Sequence, residues 1–432
     1  MIQKVPKFYY GWVVVAVSFF TLFFTLGIRY SFSVYYIAIL AEYGWGRAET
    51  AGAFSLAMIF HAMFAPITGT LVDRLGPRKL FPLGATLLFF GLLAAGQISA
   101  KWHLYLFFGV FMAIGINTLS YAPHMSIIPR WFIRKRGLAS GVVASGIGLG
   151  TLVLVPFNEF LIDALGWRSA FLVLAGIILC TLIPMTALFQ RQSPKDVGQY
   201  PDNIVPEHRK RSPLHQERDL PSPDGQKFWT VKATIQERAY WCIVLAVICD
   251  GFIINTLLVH QAVYIVDVGY SKRLAASLVG LVGLFGSVGG LLCGFLSDHV
   301  GRKAGYTLGS VFSLIGILFL MLIKDAVSIW MPFVFVLLFG LGNGGKMPMI
   351  AAITGDMFPG NALGRLMAIH AVGFGMGGAI GAYAGGYFYD RMGTYFVPFL
   401  LLLATIIIAA FSIWMTAPTY KSSMNLPSVR RD

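Results

Sequence analysis

Two basic side chains stand inside stretches that are otherwise hydrocarbon: Arg29 in the first apolar run and Lys346, within Asn343-Gly-Gly-Lys346-Met-Pro348, in the tenth. A guanidinium held in an apolar setting can grip a carboxylate through two parallel N–H bonds. Glu159 in the fifth run is the alternative partner that would take Arg29 out of any binding role. Asp250, at a similar depth in the seventh run, is the evident partner of Lys346. Protonating it would release the ammonium for an anion, the basis of proton-coupled chemistry, whereas a static pair would only hold helices together. His61, His124 and His370 are further proton-coupling candidates, with hydrogen-bonded packing as the alternative for each. Tyr30, Asn117, Tyr121, Asn255, His260 and Asn343 could bind a small polar solute, and Asn117 and Tyr121 stand one helical turn apart on a shared face. No nucleophile–base pair, metal cluster or nucleotide-binding loop accompanies them. The chemistry expected is therefore binding and passage, with no catalytic residues, cofactor or metal.

The elements that must position these groups follow from composition. Hydrophobic residues make up 57% of the 432-residue chain and charged residues 12%, half the share of an ordinary soluble domain, roughly a quarter. Apolar runs recur from Tyr9–Ile39, Glu49–Val72, Leu80–Ser99, Leu104–Ile128, Gly137–Leu161 and Ser169–Leu188, then Ala239–Val266, Leu274–Leu296, Tyr306–Ile323, Ile329–Thr354, Leu366–Tyr387 and Phe396–Met415. Each is long enough to cross a bilayer as a helix, for which about 20 residues suffice. The first is too long for a signal-peptide core and lacks a small-residue cleavage site after it. The expectation is an all-α membrane protein of twelve spans, with residues 1–189 and 239–432 as two six-helix halves. Residues 190–238, rich in proline and charge, read as a linker that is mostly disordered, except for a short amphipathic surface helix around Phe228–Arg238.

The net charge of +14 would suggest nucleic acid in a soluble protein, but here its placement excludes that partner. Lysines and arginines crowd alternate connections: Lys4 and Lys7, Arg74, Arg78 and Lys79, Arg130 to Arg136, the linker, Arg302 and Lys303, and Arg430 and Arg431. The opposite connections mix sparser cations with Glu42, Glu49, Asp163, Asp267, Asp325 and Asp390. That bias places both termini in the cytoplasm. Cys180, Cys242, Cys249 and Cys293 lie in or beside apolar runs without metal spacing and read as packing residues.

One charged knot occurs twice. Gly69-Thr-Leu-Val-Asp73-Arg74-Leu-Gly76-Pro-Arg78-Lys79 returns as Gly294-Phe-Leu-Ser-Asp298-His299-Val-Gly301-Arg302-Lys303, half a chain later and again between two apolar runs. Such spacing is the mark of duplication, and the clusters could make and break ion pairs as the halves move, a gating role; the plain alternative is anchorage at the membrane edge. The knot resembles the signature of the major facilitator superfamily, complete in the first copy and lacking only its first arginine in the second, where His299 stands. The resemblance covers essentially the whole chain. It implies two pseudo-symmetric six-helix bundles, with substrate between them near the midplane and helices 1, 4, 7 and 10 lining the path. The stretches Gly27–Tyr36, Glu42–Thr50 and Trp131–Gly141 resemble the monocarboxylate porter and oxalate/formate antiporter branch. That branch often carries an arginine on helix 8, and its oxalate exchangers a lysine on helix 11; this sequence has neither, so any anion site must be rearranged.

The function expected is secondary active transport of a small organic anion, which the resemblance implies is a monocarboxylate, with a proton or in exchange for another anion. A carrier of neutral or cationic solutes, with both buried cations internally paired, and a transport-inactive sensor are the alternatives. The lipid bilayer is the obligatory partner, and a monomer is expected.

Overall fold

A computed structural model describes residues 8–204, 229–360 and 362–416, without the side chain of Asp298. The described residues contain twelve helices long and apolar enough to cross a membrane: α1 Gly11–Tyr43, α2 Arg47–Leu75, α3 Pro77–Ala95, α4 Lys101–Trp131, α5 Arg136–Leu165, α6 Trp167–Phe189, α7 Arg238–Asp267, α8 Lys272–Val300, α9 Arg302–Leu322, α10 Trp330–Met357, α11 Leu363–Met392 and α12 Phe396–Trp414. The expected runs are all present, most of them extended at one or both ends by polar or charged residues that reach the interface, as snorkelling side chains do.

The repeated knot shapes the chain in the same way twice. Gly76 (φ 73°, ψ 156°) and Gly301 (φ 91°, ψ 150°) each join two long helices through a single non-helical residue. That corner of conformational space belongs essentially to glycine, so the tight reversal depends on this residue type at both places. Pro77 then opens α3 at its first position, where its missing N–H costs nothing.

Three of the path helices are broken. α1 is interrupted at Ser31, whose hydroxyl donates to Gly27 O (2.8 Å) and accepts from Asn158 Nδ2 (3.0 Å). α4 contains a π-helical stretch over Phe107–Met112 and a break at Leu119 and Ser120. α10 breaks at Gly345. Helix breaks inside a membrane are tolerated where they line a cavity or protein re-satisfies the backbone.

The two halves meet along α2 against α11 and α5 against α8. Glycine lets backbones touch there: a Cβ on Gly148 would lie 2.6 Å from Gly283 O, and one on Gly386 2.5 Å from Ala48 N. The Gly386 crossing lies toward the end remote from residues 11, 238 and 414, called here the far end, and the Gly148–Gly283 crossing lies near the middle of α5 and α8. Toward the opposite, terminal end the halves part. Gly69, Gly141 and Gly364 have nothing near where a Cβ would project, and Met63, Leu138, Leu291 and Phe295 are exposed. The described molecule is closed at its far end and open at its terminal end.

The linker departs from expectation over residues 190–204, which are ordered. Asp202 accepts from the backbone N–H of Ile133 (2.9 Å) and Arg134 (2.8 Å), Gln199 clasps Tyr10 N and Phe8 O, and the Tyr9 hydroxyl donates to Trp131 O. Burial beside Asp202 pushes the Tyr9 hydroxyl up to about 12. The expected amphipathic helix shrinks to Val231–Thr234, pinned when Trp229 N–H donates to Pro359 O (3.2 Å); the rest of the linker lies outside the described residues.

Within the first half, Gly150 of α5 would place a Cβ 2.2 Å from Phe23 O of α1. Gly150→Val is expected to destabilise the fold by about 1–3 kcal/mol, the range for overpacking, read as a lower Tm in detergent; an unchanged Tm would show that α1 and α5 are free to separate.

Candidate functional site

Arg29 occupies the last turn before the α1 break, at the boundary between the halves. Its Nη2 lies 3.0 Å from Met58 Sδ of α2 and 3.4 Å from Asn255 Oδ1 of α7. The Phe54 ring centre is 5.9 Å from the guanidinium carbon, and Nε is buried with no partner. The expected alternative, a pair with Glu159, is not formed: Glu159 sits in α5 with Lys272, Asp163 and Arg273 as its charged neighbours. No carboxylate pairs with Arg29 among the described residues. A thioether and an amide oxygen are weak partners for a cation whose desolvation costs several kcal/mol. A small cavity of about 20 Å³ adjoins it, lined also by His61, Phe108 and Ile116; that is room for one water, which needs about 10–15 Å³.

Asn255 is placed by close packing. It is buried, its amide N–H donates to Gly251 O (2.8 Å), and Gly378 of α11 approaches so closely that a Cβ there would lie 2.6 Å from Nδ2. The second half thus presents one oxygen to the cation of the first.

Lys346 and Asp250 form the expected pair, Nζ to Oδ1 3.2 Å, with side chains 1% and 3% exposed. Tyr306 of α9 donates to the other carboxylate oxygen at 2.8 Å. The α10 break at Gly345 delivers Lys346 into a space left by two facing glycines, Gly309 and Gly342. This triad lies between α7, α9 and α10, inside the second half, whereas Arg29 lies between halves. Asn343 is half-buried in the turn before the same break.

Several expected site residues are elsewhere. The α4 break rotates Tyr121, 44% exposed, away from Asn117, so the one-turn relation does not hold; Asn117 is buried and donates to Thr68 Oγ1 (3.2 Å). His260 is fully enclosed, bonded to Tyr395 OH (3.0 Å) and Ala382 O (2.8 Å), remote from Arg29. His124 packs on Phe81 and His370 stacks on Tyr240, the ring nitrogens of both unpartnered. Tyr30 follows Arg29 and is half-buried.

The knots close within their own halves. Asp73 pairs with Arg130 of α4 (2.8 Å), while Arg302 pairs with Asp356 of α10 (3.6 Å) and donates to Ser297 Oγ. Lys303 donates to Thr416 O (2.7 Å), and Arg74, Arg78 and Lys79 are exposed. Asp298's side chain lies outside the described residues.

The bridge between halves is at the far end. Arg47, opening α2, holds both Asp267 oxygens (2.6 and 3.0 Å) at the end of α7, donates to Tyr395 OH (2.8 Å) and lies 3.6 Å from the Tyr389 ring centre. Asp390 of α11 caps α2, accepting from Arg47 N–H (2.9 Å) and Ala48 N–H (2.8 Å). A second tie joins Arg273 and Asp163 (2.5 Å). In the sequence these charges stand out only as loop composition; the signal for the bridge is the opposite charges at the ends of runs 2, 7 and 11.

Comparison with known proteins places this geometry in context. The sequence profile of the Major Facilitator Superfamily matches residues 17–345 and 243–431. Monocarboxylate transporter 12 of Rattus norvegicus is 25% identical over 409 residues, covering 91% of this chain and 82% of that protein. Monocarboxylate transporter 13 of Rattus norvegicus is 25% identical over 427 residues, 98% of this chain and 92% of that one. The crystal structure of a D-xylose-proton symporter shares the fold, with a TM-score of 0.72 over 95% of this chain and 98% of that chain at 15% identity.

If the Arg47 network holds the far end shut, Arg47→Ala should populate a far-open form. Spin labels at Gly44→Cys and Asp325→Cys, in a background without the four native cysteines, should then report a second, longer distance at least severalfold more populated than in the parent; a single unchanged distance would remove Arg47 from this role.

Proposed function

The chain belongs to the Major Facilitator Superfamily, and from that premise we propose that it carries a small organic anion, a monocarboxylate, by alternating access with proton symport. The observation that carries this reading is Arg29, a half-buried cation within a membrane-spanning helix at the junction of the halves, without a carboxylate partner among the described residues. A carboxylate arriving from the open end would replace Met58 Sδ and Asn255 Oδ1 as its partners and supply the missing charge. The relatives named as monocarboxylate transporters support the substrate class. A carrier of neutral or cationic solutes would need both buried cations paired; Lys346 is paired and Arg29 is not.

Symport rather than anion exchange is supported by the Asp250–Lys346–Tyr306 triad. Loading a proton onto Asp250 leaves the Lys346 cation uncompensated in a low-dielectric interior, which raises the affinity of the protein for an anion. By reciprocity, a bound anion favours the proton. Uptake therefore rises as pH falls on the loading side. The clustering of cations on the terminal connections supports cytoplasmic termini in a cell membrane, so the open end faces inward. His61, beside Arg29, is the histidine best placed to exchange a proton with the site, and Asn117 belongs to the same wall.

In proteoliposomes of the pure protein, a panel of carboxylates should show counterflow for at least one monocarboxylate. Arg29→Gln should lower its kcat/KM by about 30-fold or more, as expected when one partner of a buried charge pair is truncated, ~2 kcal/mol. Unchanged uptake would overturn the anion reading, and absence of any solute flux would favour a sensor.

Asp250→Asn is expected to leave counterflow measurable but to abolish acceleration by an inward proton gradient. Retention of that acceleration would sink the coupling assignment without touching Arg29.

A further inference from the structure

α7 and α12 pack tightly at the far end, where the Tyr264 ring meets Tyr395 and Phe399 edge-on at 5.7 and 4.9 Å. Toward the terminal end they splay around a cleft of about 350 Å³, comparable to small-molecule pockets of roughly 300–1,000 Å³. Two facing helical stripes form its walls: Cys242 and Leu245 from α7, and Ile407, Ile408, Phe411 and Met415 from α12. Most of these are surface residues, Phe411 being 65% exposed. The one hydroxyl in the wall, on Ser412, is turned back onto Ile408 O (2.7 Å), so the walls offer little to a polar solute.

At the mouth stands Arg238, exposed and without an ion pair among the described residues. Beside it Trp241, 52% exposed, has its indole N–H held by Ile235 O (2.8 Å), the placement of an interfacial aromatic anchor. An apolar cleft that opens sideways on a bilayer loses dispersion contacts along both walls unless a chain fills it. A cation at its rim then selects the head group attached to that chain.

We propose that an anionic phospholipid of the terminal-side leaflet binds between α7 and α12, with one acyl chain in the cleft and its phosphate on Arg238. The lipid would brace the terminal half of α7, the helix that also carries Asp250 and Asn255. The site is separate from the path between the halves and stands whether or not the anion reading holds.

The test is native mass spectrometry of the full-length protein titrated with phosphatidylglycerol or phosphatidylcholine. The wild-type chain should retain one phosphatidylglycerol at ratios where phosphatidylcholine is lost. Arg238→Gln should cut that retention about fivefold, the effect of one basic residue at an anionic surface. Arg238→Lys should largely preserve it, and Arg136→Gln, an exposed terminal-end cation on α5, should leave it unchanged. Leu245→Trp, which fills the cleft without altering charge, should reduce it as well. Equal retention of the two lipids, equal loss with Arg136→Gln, or no effect of Leu245→Trp would overturn the proposal. So would a wild-type chain that binds neither lipid until residues 417–432 are removed, since the cleft would then belong to the chain's own tail. Where Arg238→Gln fails to fold, Arg238→Lys and Leu245→Trp still decide the outcome.

Discussion

The described state depends on a single cross-bundle knot of charge at the far end. Arg47 brings one guanidinium to a carboxylate, a phenol and an aromatic face, all from the other half of the chain. Asp390 adds a second carboxylate to the N-terminus of the same helix, where backbone N–H groups and the helix dipole both favour negative charge. An exposed ion pair contributes little by itself, ~0–1 kcal/mol. Here the Arg47 side chain is 14% exposed, and the guanidinium, the cap and the aromatic stack share one residue. Breaking the network strands several groups together, which gives the closure a sharp rather than a gradual character.

Two cations at membrane depth, Lys346 buried and Arg29 half-buried, make a contrast that defines the interior. Lys346 is paid for by Asp250 and Tyr306 within one half, so its charge is neutral in sum and moves with the bundle. Arg29 is held by a thioether of its own half and an amide of the other. On the proposed reading, a carboxylate ligand would supply the missing partner and relieve the bond to Asn255 across the halves. Binding and loosening of the interface would then be tied through one nitrogen.

Much of this was legible in the sequence because hydrocarbon imposes simple rules. Run length and charge placement delimited twelve helices, and the duplicated glycine turn exposed the two-fold plan, since only glycine takes the conformation found at Gly76 and Gly301. The Asp250–Lys346 pair could be read from depth alone. What could not be read was anything set by helix breaks or by which state the halves adopt. The interruption at Leu119 and Ser120 separates Asn117 from Tyr121 although their spacing predicts a shared face. The enclosure of His260 depends on Tyr395 and Ala382 arriving from distant helices. Asp202 and Gln199 order a proline-rich stretch whose composition alone predicts disorder, because backbone donors of the first half await them.

The position of the charged knots then acquires a mechanical meaning. Asp73 with Arg130 ties α2 to α4, and Arg302 with Asp356 ties α9 to α10, each on the terminal side and each inside one bundle. Ties of that kind stiffen a bundle without linking it to its neighbour. Glycine faces on α2, α5, α8 and α11 meanwhile allow the bundles to touch backbone to backbone with few interlocking side chains to unpack. Rigid halves on smooth contacts move as bodies, and the energy that distinguishes open from closed concentrates in the few polar bridges that cross. In the described state those bridges lie at the far end and at Arg29, so on the proposed reading a ligand on Arg29 would act on one of the few places where the two halves hold each other.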